Sequence, residues 1–261
     1  RFSYSGKPLF ENLNLVIEKG FVYGLLGKNG AGKTTLLKIA AGVIFPSKGE
    51  CLVFDEPSIK RLPETLKEIF FIPESFVLPE VSAEIYCKLN AFFYERFDND
   101  IFYRKMEEFE IPKDAKISNL SFGQKKKFLL AFGIATNCKI LIFDEPTNGL
   151  DIPSKRMVRN NIKAINSSGR IIIISTHNVK ELESVFDNII ILERGKIVFN
   201  QSLTDIKEKF VVKNVCASED LSNAIYYEEI SEGGYVGLFE NKNNEKGEID
   251  LEFLFNSIIS K

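Results

Sequence analysis

Residues 27–34 read Gly-Lys-Asn-Gly-Ala-Gly-Lys-Thr and follow the apolar run Phe21-Val22-Tyr23-Gly24-Leu25-Leu26. The run has the character of a buried strand. The next segment, Thr35-Leu36-Leu37-Lys38-Ile39-Ala40-Ala41, reads as a helix that stops near Gly42. A strand, a glycine-rich turn and a helix in that order make a cradle for phosphate. The glycines let backbone N–H groups turn inward, and the helix N-terminus adds the positive end of its dipole. Gly27, Lys28, Asn29, Gly30, Ala31 and Gly32 supply the loop. Lys33 is then expected to reach the β- and γ-phosphates of a nucleotide, the Thr34 hydroxyl to ligate Mg²⁺, and Thr35 to contact the α-phosphate. A chance match has odds on the order of one percent in a chain of this size, and the flanking elements lower them further.

A second apolar strand, Ile140-Leu141-Ile142-Phe143, ends in Asp144-Glu145. Ligands of open parallel sheets bind at the carboxyl ends of the strands, so Asp144 is placed as a partner of Mg²⁺. Glu145, one residue on, points differently and can accept a proton from an attacking water. Further strands are expected at 68–72, 170–175, 188–193 and 196–199, the last two joined at Arg194-Gly195. A crossover helix should lie around 154–167, between the strands at 139–143 and 170–175. Residues 82–113 carry helical spacing and many aromatics, and a helix should start near Ser121. After about residue 205 the character changes: strands at 210–216, 224–230 and 235–240, a hairpin turn at Gly233-Gly234, and Leu251, Leu254, Phe255, Ile258 and Ile259 at helical spacing.

Three further stretches resemble the ATP-binding cassette (ABC) ATPase family. Leu120-Ser121-Phe122-Gly123-Gln124 is similar to the LSGGQ signature, residues 144–151 (Asp-Glu-Pro-Thr-Asn-Gly-Leu-Asp) to the Walker B motif plus D-loop, and Ser175-Thr176-His177 to the H-switch. They occur in the family's order, over roughly residues 1–205. The resemblance implies an α/β P-loop NTPase fold: a RecA-like core with an antiparallel β subdomain, a helical insertion at about 76–134, and a small C-terminal α+β extension over 206–261. It also implies that His177, the only histidine of the chain, contacts the γ-phosphate. Ser121, Gly123 and Gln124 would serve the nucleotide of a second cassette, and Asp151 of the D-loop is expected among the ATP-binding residues as well. Tyr4 resembles the aromatic that stacks on adenine. Two departures stand out: Glu74 occupies the place of the family's Gln, after Ile72-Pro73, where it would ligate Mg²⁺ or hold its water, and Phe122 replaces the first signature glycine.

Composition adds exclusions. Lys and Arg total 34 against 36 Asp and Glu, a net charge of −2, so bulk attraction to nucleic acid is not expected. Lys125-Lys126-Lys127 is expected to be a solvated helix face. No apolar stretch reaches the roughly 20 residues that span a bilayer, and no secretory signal is read. The chain begins with Arg1, so a short preceding piece is expected. The cysteines Cys51, Cys87, Cys138 and Cys216 lie far apart and read as small buried hydrophobes rather than a zinc site.

The resemblance implies a cytoplasmic ATPase, peripheral on the inner face of the membrane, with ATP and Mg²⁺ as cofactors. It would work as a homo- or heterodimer on a separate integral membrane permease, of the ABC-2 type and in the direction of export. The alternatives are a soluble ABC ATPase acting in translation or DNA maintenance, and a binding-only regulator. The first calls for tandem cassettes, coiled coils or zinc motifs, which the sequence lacks, and intact Glu145 and His177 argue against the second.

Overall fold

The computed structural model describes residues 1–4, 6–166, 169–215, 221–231, 234–242, 245 and 249–260. Ser167, Cys216 and Gly233, each at the end of an expected helix, strand or turn, lie outside the described residues. The N-terminal part holds β1 (Phe2–Tyr4), β2 (Lys7–Phe10), β3 (Val22–Leu26), α1 (Lys33–Ala40), β4 (Leu52–Val53), β5 (Glu56–Pro57), α2 (Pro63–Leu66) and β6 (Ile69–Ile72). The helical insertion contains α3 (Ala83–Asn90), α4 (Asn99–Glu108) and α5 (Phe122–Ala135). Then come β7 (Ile140–Asp144), α6 (Ile152–Asn166), β8 (Ile171–Thr176), β9 (Asn188–Glu193), β10 (Lys196–Ser202), α7 (Leu203–Lys209), β11 (Phe210–Val215), β12 (Tyr226–Ser231), β13 (Gly234–Glu240) and α8 (Leu251–Ile259).

The central sheet has the order β10-β9-β3-β8-β7-β6. All its pairings are parallel except β10 with β9. Parallel strands covered on both faces read as near-continuous apolar runs, and the interiors of β3, β7, β8 and β9 do. Val22, Leu26, Leu141, Phe143, Ile172, Ile174, Ile189 and Ile191 join the core beneath the helical insertion. Their neighbours Tyr23, Leu25, Ile140, Ile142, Ile173, Ile190 and Leu192 join the core with α1 and the N-terminal strands. Alternation of period two therefore feeds two cores rather than a core and a solvent face. Gly24 leaves room for the Phe186 ring, which lies 3.0 Å from where a Cβ would sit. Asp187 brackets Val22, its carboxylate accepting from the Val22 N–H at 2.8 Å and its own N–H donating to the Val22 carbonyl at 2.8 Å.

The helices start where the side chains can cap them. Ser82, Asp98, Ser121, Ser202 and Asp250 each accept a backbone N–H of the first turn. The aromatic stretch with helical spacing is interrupted at 94–98. There Arg96 grips Glu68 through both guanidinium nitrogens, and Asp98 turns outward to cap α4. Arg194 (φ 46°) and Gly195 (φ 75°) turn β9 into β10. Consecutive left-handed residues suit the tight hairpin turns that match strand twist.

At the C-terminal end, β11, β13 and β12 form an antiparallel sheet in that order. Helix α7, which sequence periodicity misses because it is only two turns long, bridges the change of character near 205. Ile206, Leu238, Leu251, Phe253, Leu254 and Phe255 are buried in the same core as Leu141 and Phe143. Helix α8 also lies against the turn Val179–Glu181, where Lys180 pairs with Glu252 at 2.8 Å. Among the described residues no helix is long and apolar enough to cross a membrane.

Candidate functional site

The sheet order sets β3, β8 and β7 side by side, so residues 27–35, 175–177 and 144–145 meet at one edge. The loop after β3 needs its glycines. A Cβ at Gly27 would stand 2.5 Å from the Leu192 carbonyl oxygen, and Gly30 (φ 81°) and Gly32 (φ 109°) hold left-handed backbone that other residues rarely adopt. Lys33 is buried at the start of α1. Its Nζ donates to the Gly27 carbonyl at 2.8 Å and lies 3.5 Å from Glu145 Oε1. Thr34 is half-buried and Thr35 buried beside it. Tyr4 is 53% exposed, sits edge-on to Phe2, and brings its hydroxyl within 3.4 Å of Thr35 Oγ1.

Asp144 is 1% exposed. Its Oδ1 accepts from Ser175 Oγ at 2.5 Å, and its Oδ2 has no hydrogen-bond partner. A buried carboxylate oxygen left unpaired is costly, so this one fits a hard cation. The donor set is also right for Mg²⁺, which takes one or two carboxylates, a hydroxyl, waters and substrate phosphate rather than an all-protein cage. Consistently, no group of three or more His, Cys, Asp or Glu side chains that could enclose a metal occurs among the described residues.

Glu145 follows with φ 49°, a left-handed conformation that a side-chain-bearing residue holds only when its surroundings enforce it. Its N–H donates to Ser175 Oγ at 3.0 Å, and its Oε2 lies 2.9 Å from His177 Nδ1. The carboxylate is 5% exposed and sits between the Lys33 ammonium and the more open imidazole. Such a group can accept a proton from water beside a phosphate held by the loop.

The remaining expected residues form a second constellation. Ser121 caps α5 through a capping box: its Oγ accepts the Gln124 N–H at 3.2 Å, and Gln124 Oε1 accepts the Ser121 N–H at 2.9 Å. Gly123 admits Leu150, 3.1 Å from its absent Cβ. Asp151 caps α6, accepting the Ser154 N–H at 2.9 Å, and Ser154 holds its carboxyl below the usual range. Glu74 accepts from Asn148 Nδ2 at 2.9 Å. Among the described residues Ser121, Gly123, Gln124 and Asp151 make no hydrogen bond with residues 27–35, and Glu74 makes none with Asp144 or Thr34.

The structure corrects one expectation outright. Lys126 is not part of a solvated face: it is 4% exposed, and its Nζ donates to the carbonyls of Glu145 at 2.7 Å and Asn148 at 2.8 Å. Burial pushes its ammonium below the ordinary lysine range, while Glu74, Glu145 and Asp144 pull it back. Lys126, Ser175 and Asn148 are the site residues that sequence reasoning passes over. The one available signal was Ser175, a small polar residue directly after four isoleucines of β8.

The sequence profile of ABC transporters matches residues 10–148. The chain is 28% identical, over 90% of its length, to the ABC transporter ATP-binding protein YtrB of Bacillus subtilis (strain 168), spanning 80% of that protein. It is 31% identical to the uncharacterized ABC transporter ATP-binding protein YhcH of the same organism, over 77% of this chain and 67% of that one. To its SkfA peptide export ATP-binding protein SkfE the identity is 30%, over 76% and 85%. A solved ATP-binding subunit of an ABC transporter superposes with a TM-score of 0.72 at 25% identity, covering 79% of this chain and 88% of that one. A dimeric ATP-binding cassette in a post-hydrolysis state with ADP and Pi gives 0.67 over 75% and 90%, and at 23% identity it bears on the fold alone.

Proposed function

The chain belongs to the ABC transporter family, and on that premise we propose that it binds and hydrolyses ATP to drive export through a separate membrane permease. The observation that carries the reading is the Glu145 carboxylate held between Lys33 at 3.5 Å and His177 at 2.9 Å, beside the unpaired Asp144 oxygen. A soluble role in translation or DNA maintenance finds no support in relatives named for transport.

In this reading Gly27 to Gly32 cradle the phosphates, Lys33 reaches the β- and γ-phosphates, and Thr35 contacts the α-phosphate. Tyr4 stacks on adenine; its exposed ring next to Thr35 supports this. Mg²⁺, when bound, would neutralise phosphate charge, with Thr34 and Asp144 as ligands and Glu74 as ligand or holder of its water. Glu145 takes the proton of the attacking water, and His177 steadies Glu145 and the γ-phosphate. A second cassette, identical or not, lends its Ser121, Gly123, Gln124 and Asp151 to the nucleotide. That these residues, among the described ones, spend their hydrogen bonds on capping α5 and α6 and not on the phosphate loop of their own chain is compatible with such sharing. We assign residues 1–205 to the ATPase unit, with 76–134 as its helical part, and 206–261 to an extension.

The permease would be of the ABC-2 type, in keeping with relatives named for export. Its docking face is the helical insertion, where Ile85, Leu89, Phe92 (88% exposed) and Phe93 project from α3 and the turn after it. Binding there places the protein on the inner face of the membrane. Nucleic acid is not an expected partner.

Glu145→Gln should cut ATP turnover by about two to four orders of magnitude, the range for losing a general base, while ATP binding persists and dimers accumulate in size-exclusion chromatography. Turnover at the parent level would remove the assignment. Affinity purification from membranes should recover a polytopic membrane protein; recovery of ribosomes or DNA instead would overturn the transport reading.

A further inference from the structure

Lys126 has no part in the chemistry above, yet no other side chain of α5 is so committed to the site. Its two hydrogen bonds reach the carbonyls of Glu145 and Asn148, the Phe122 ring lies 5.2 Å from Nζ, and Phe122 in turn stacks on Phe76. Asn148 passes the connection on to Glu74 through its side-chain amide. Burying an ammonium is expensive, and an apolar side chain of similar volume often serves stability as well or better. Stability is therefore a weak reason for a lysine here, and geometry a stronger one. The Glu145 peptide is held on its N–H side by Ser175 and on its carbonyl side by Lys126, which keeps the residue at φ 49° and aims the carboxylate between Lys33 and His177. A free loop in place of this clamp would let the carboxylate swing.

We propose that Lys126 is a positioning residue for hydrolysis: by clamping the Glu145 and Asn148 carbonyls it aims the general base and makes the turn 145–148 move as one piece with α5. The proposal rests on reading Glu145 as that base. It also accounts for the acidic residue at position 74, because the extra carboxylate and the buried ammonium balance in charge across Asn148.

The test uses the full chain with steady-state ATP turnover, equilibrium binding of a fluorescent ATP analogue and thermal melting. Lys126→Met keeps the bulk and removes the donors. It should lower turnover about 10- to 100-fold, the scale of a misplaced catalytic group, with analogue affinity unchanged. Lys126→Arg, which restores cation and donors, should recover at least about a third of the parent turnover. If Lys126→Met does not fold, Lys126→Leu, which likewise offers no donor, decides by the same readouts. Turnover within about threefold of the parent in the donor-deficient variant overturns the proposal. So does a loss shared with Lys126→Arg and matched by weaker binding and lower melting, which would mark a merely structural lysine. Glu145→Gln run in parallel separates the failures. If Glu145→Gln is inactive and the lysine variants are not, only the positioning role falls. If Glu145→Gln stays active, the assignment of the base falls and this proposal with it.

Discussion

Ser175 shows how much a single hydroxyl can organise. It donates to Asp144 and accepts from the Glu145 N–H, so the two adjacent carboxylates take their separate directions from one side chain on the neighbouring strand. At the other end of the sheet Glu68 does comparable work, buried between Arg96 and Lys139. The Arg96 guanidinium holds the Glu68 carboxyl below its usual range, against the opposing effect of burial. A depressed folded-state value stabilises the protein above the unfolded carboxylate pKa of about 4.3, and that contribution is lost as pH falls through the folded value. Glu68→Gln should therefore melt at a lower temperature than the parent at neutral pH, with the gap closing below about pH 4. Melting curves across pH check this, and a gap independent of pH would show that Arg96 contributes packing rather than charge.

Among the elements, α5 has the most demands on it. Its N-terminus is closed by the Ser121–Gln124 capping box, its middle supplies Lys126, and Gly133 lets it settle on the Phe70 ring. Ser121→Ala should cost about 1 kcal/mol of stability as a lost cap, measurable by urea unfolding. In the Glu145→Gln background it should also diminish ATP-dependent dimers, a loss that capping alone does not predict. Most of this architecture was legible beforehand. The strand–loop–helix at 22–40, the acid-tipped strand β7 and the helix start near Ser121 are local patterns, each written in consecutive residues. Lys126, Ser175 and Asn148 were not legible, because their partners lie on other elements and only the strand order brings them together. The three lysines in a row looked like a solvated face, and nothing in their spacing marks the middle one as turning inward. The short α7 escaped for a different reason: two turns carry too little periodicity to separate from a loop.

For the whole molecule, the elements after β10 pack onto the central sheet. Leu238, Leu254 and Phe255 share an apolar core with Leu141 and Ile174, and Lys180 fastens the turn just after His177 to the start of α8. Calorimetry should accordingly show a single unfolding transition, with calorimetric and van't Hoff enthalpies in agreement; two resolved transitions would mean that residues 206–261 fold independently. The central sheet carries a different implication. Because β3, β7, β8 and β9 feed apolar side chains into cores on both faces, sliding one strand by a single residue would move its apolar interior from one core to the other rather than into solvent. The usual inside–outside penalty that sets alignment is missing. What discriminates is volume and a few fixed polar contacts: the gap at Gly24 that the Phe186 ring fills, the bracket of Asp187 around Val22, and the Ser175 hydroxyl between β7 and β8. The contacts made by Phe186 and Asp187 join β3 to residues far along the chain. Alignment of the sheet therefore rests on a handful of contacts rather than on the pattern of apolar and polar residues.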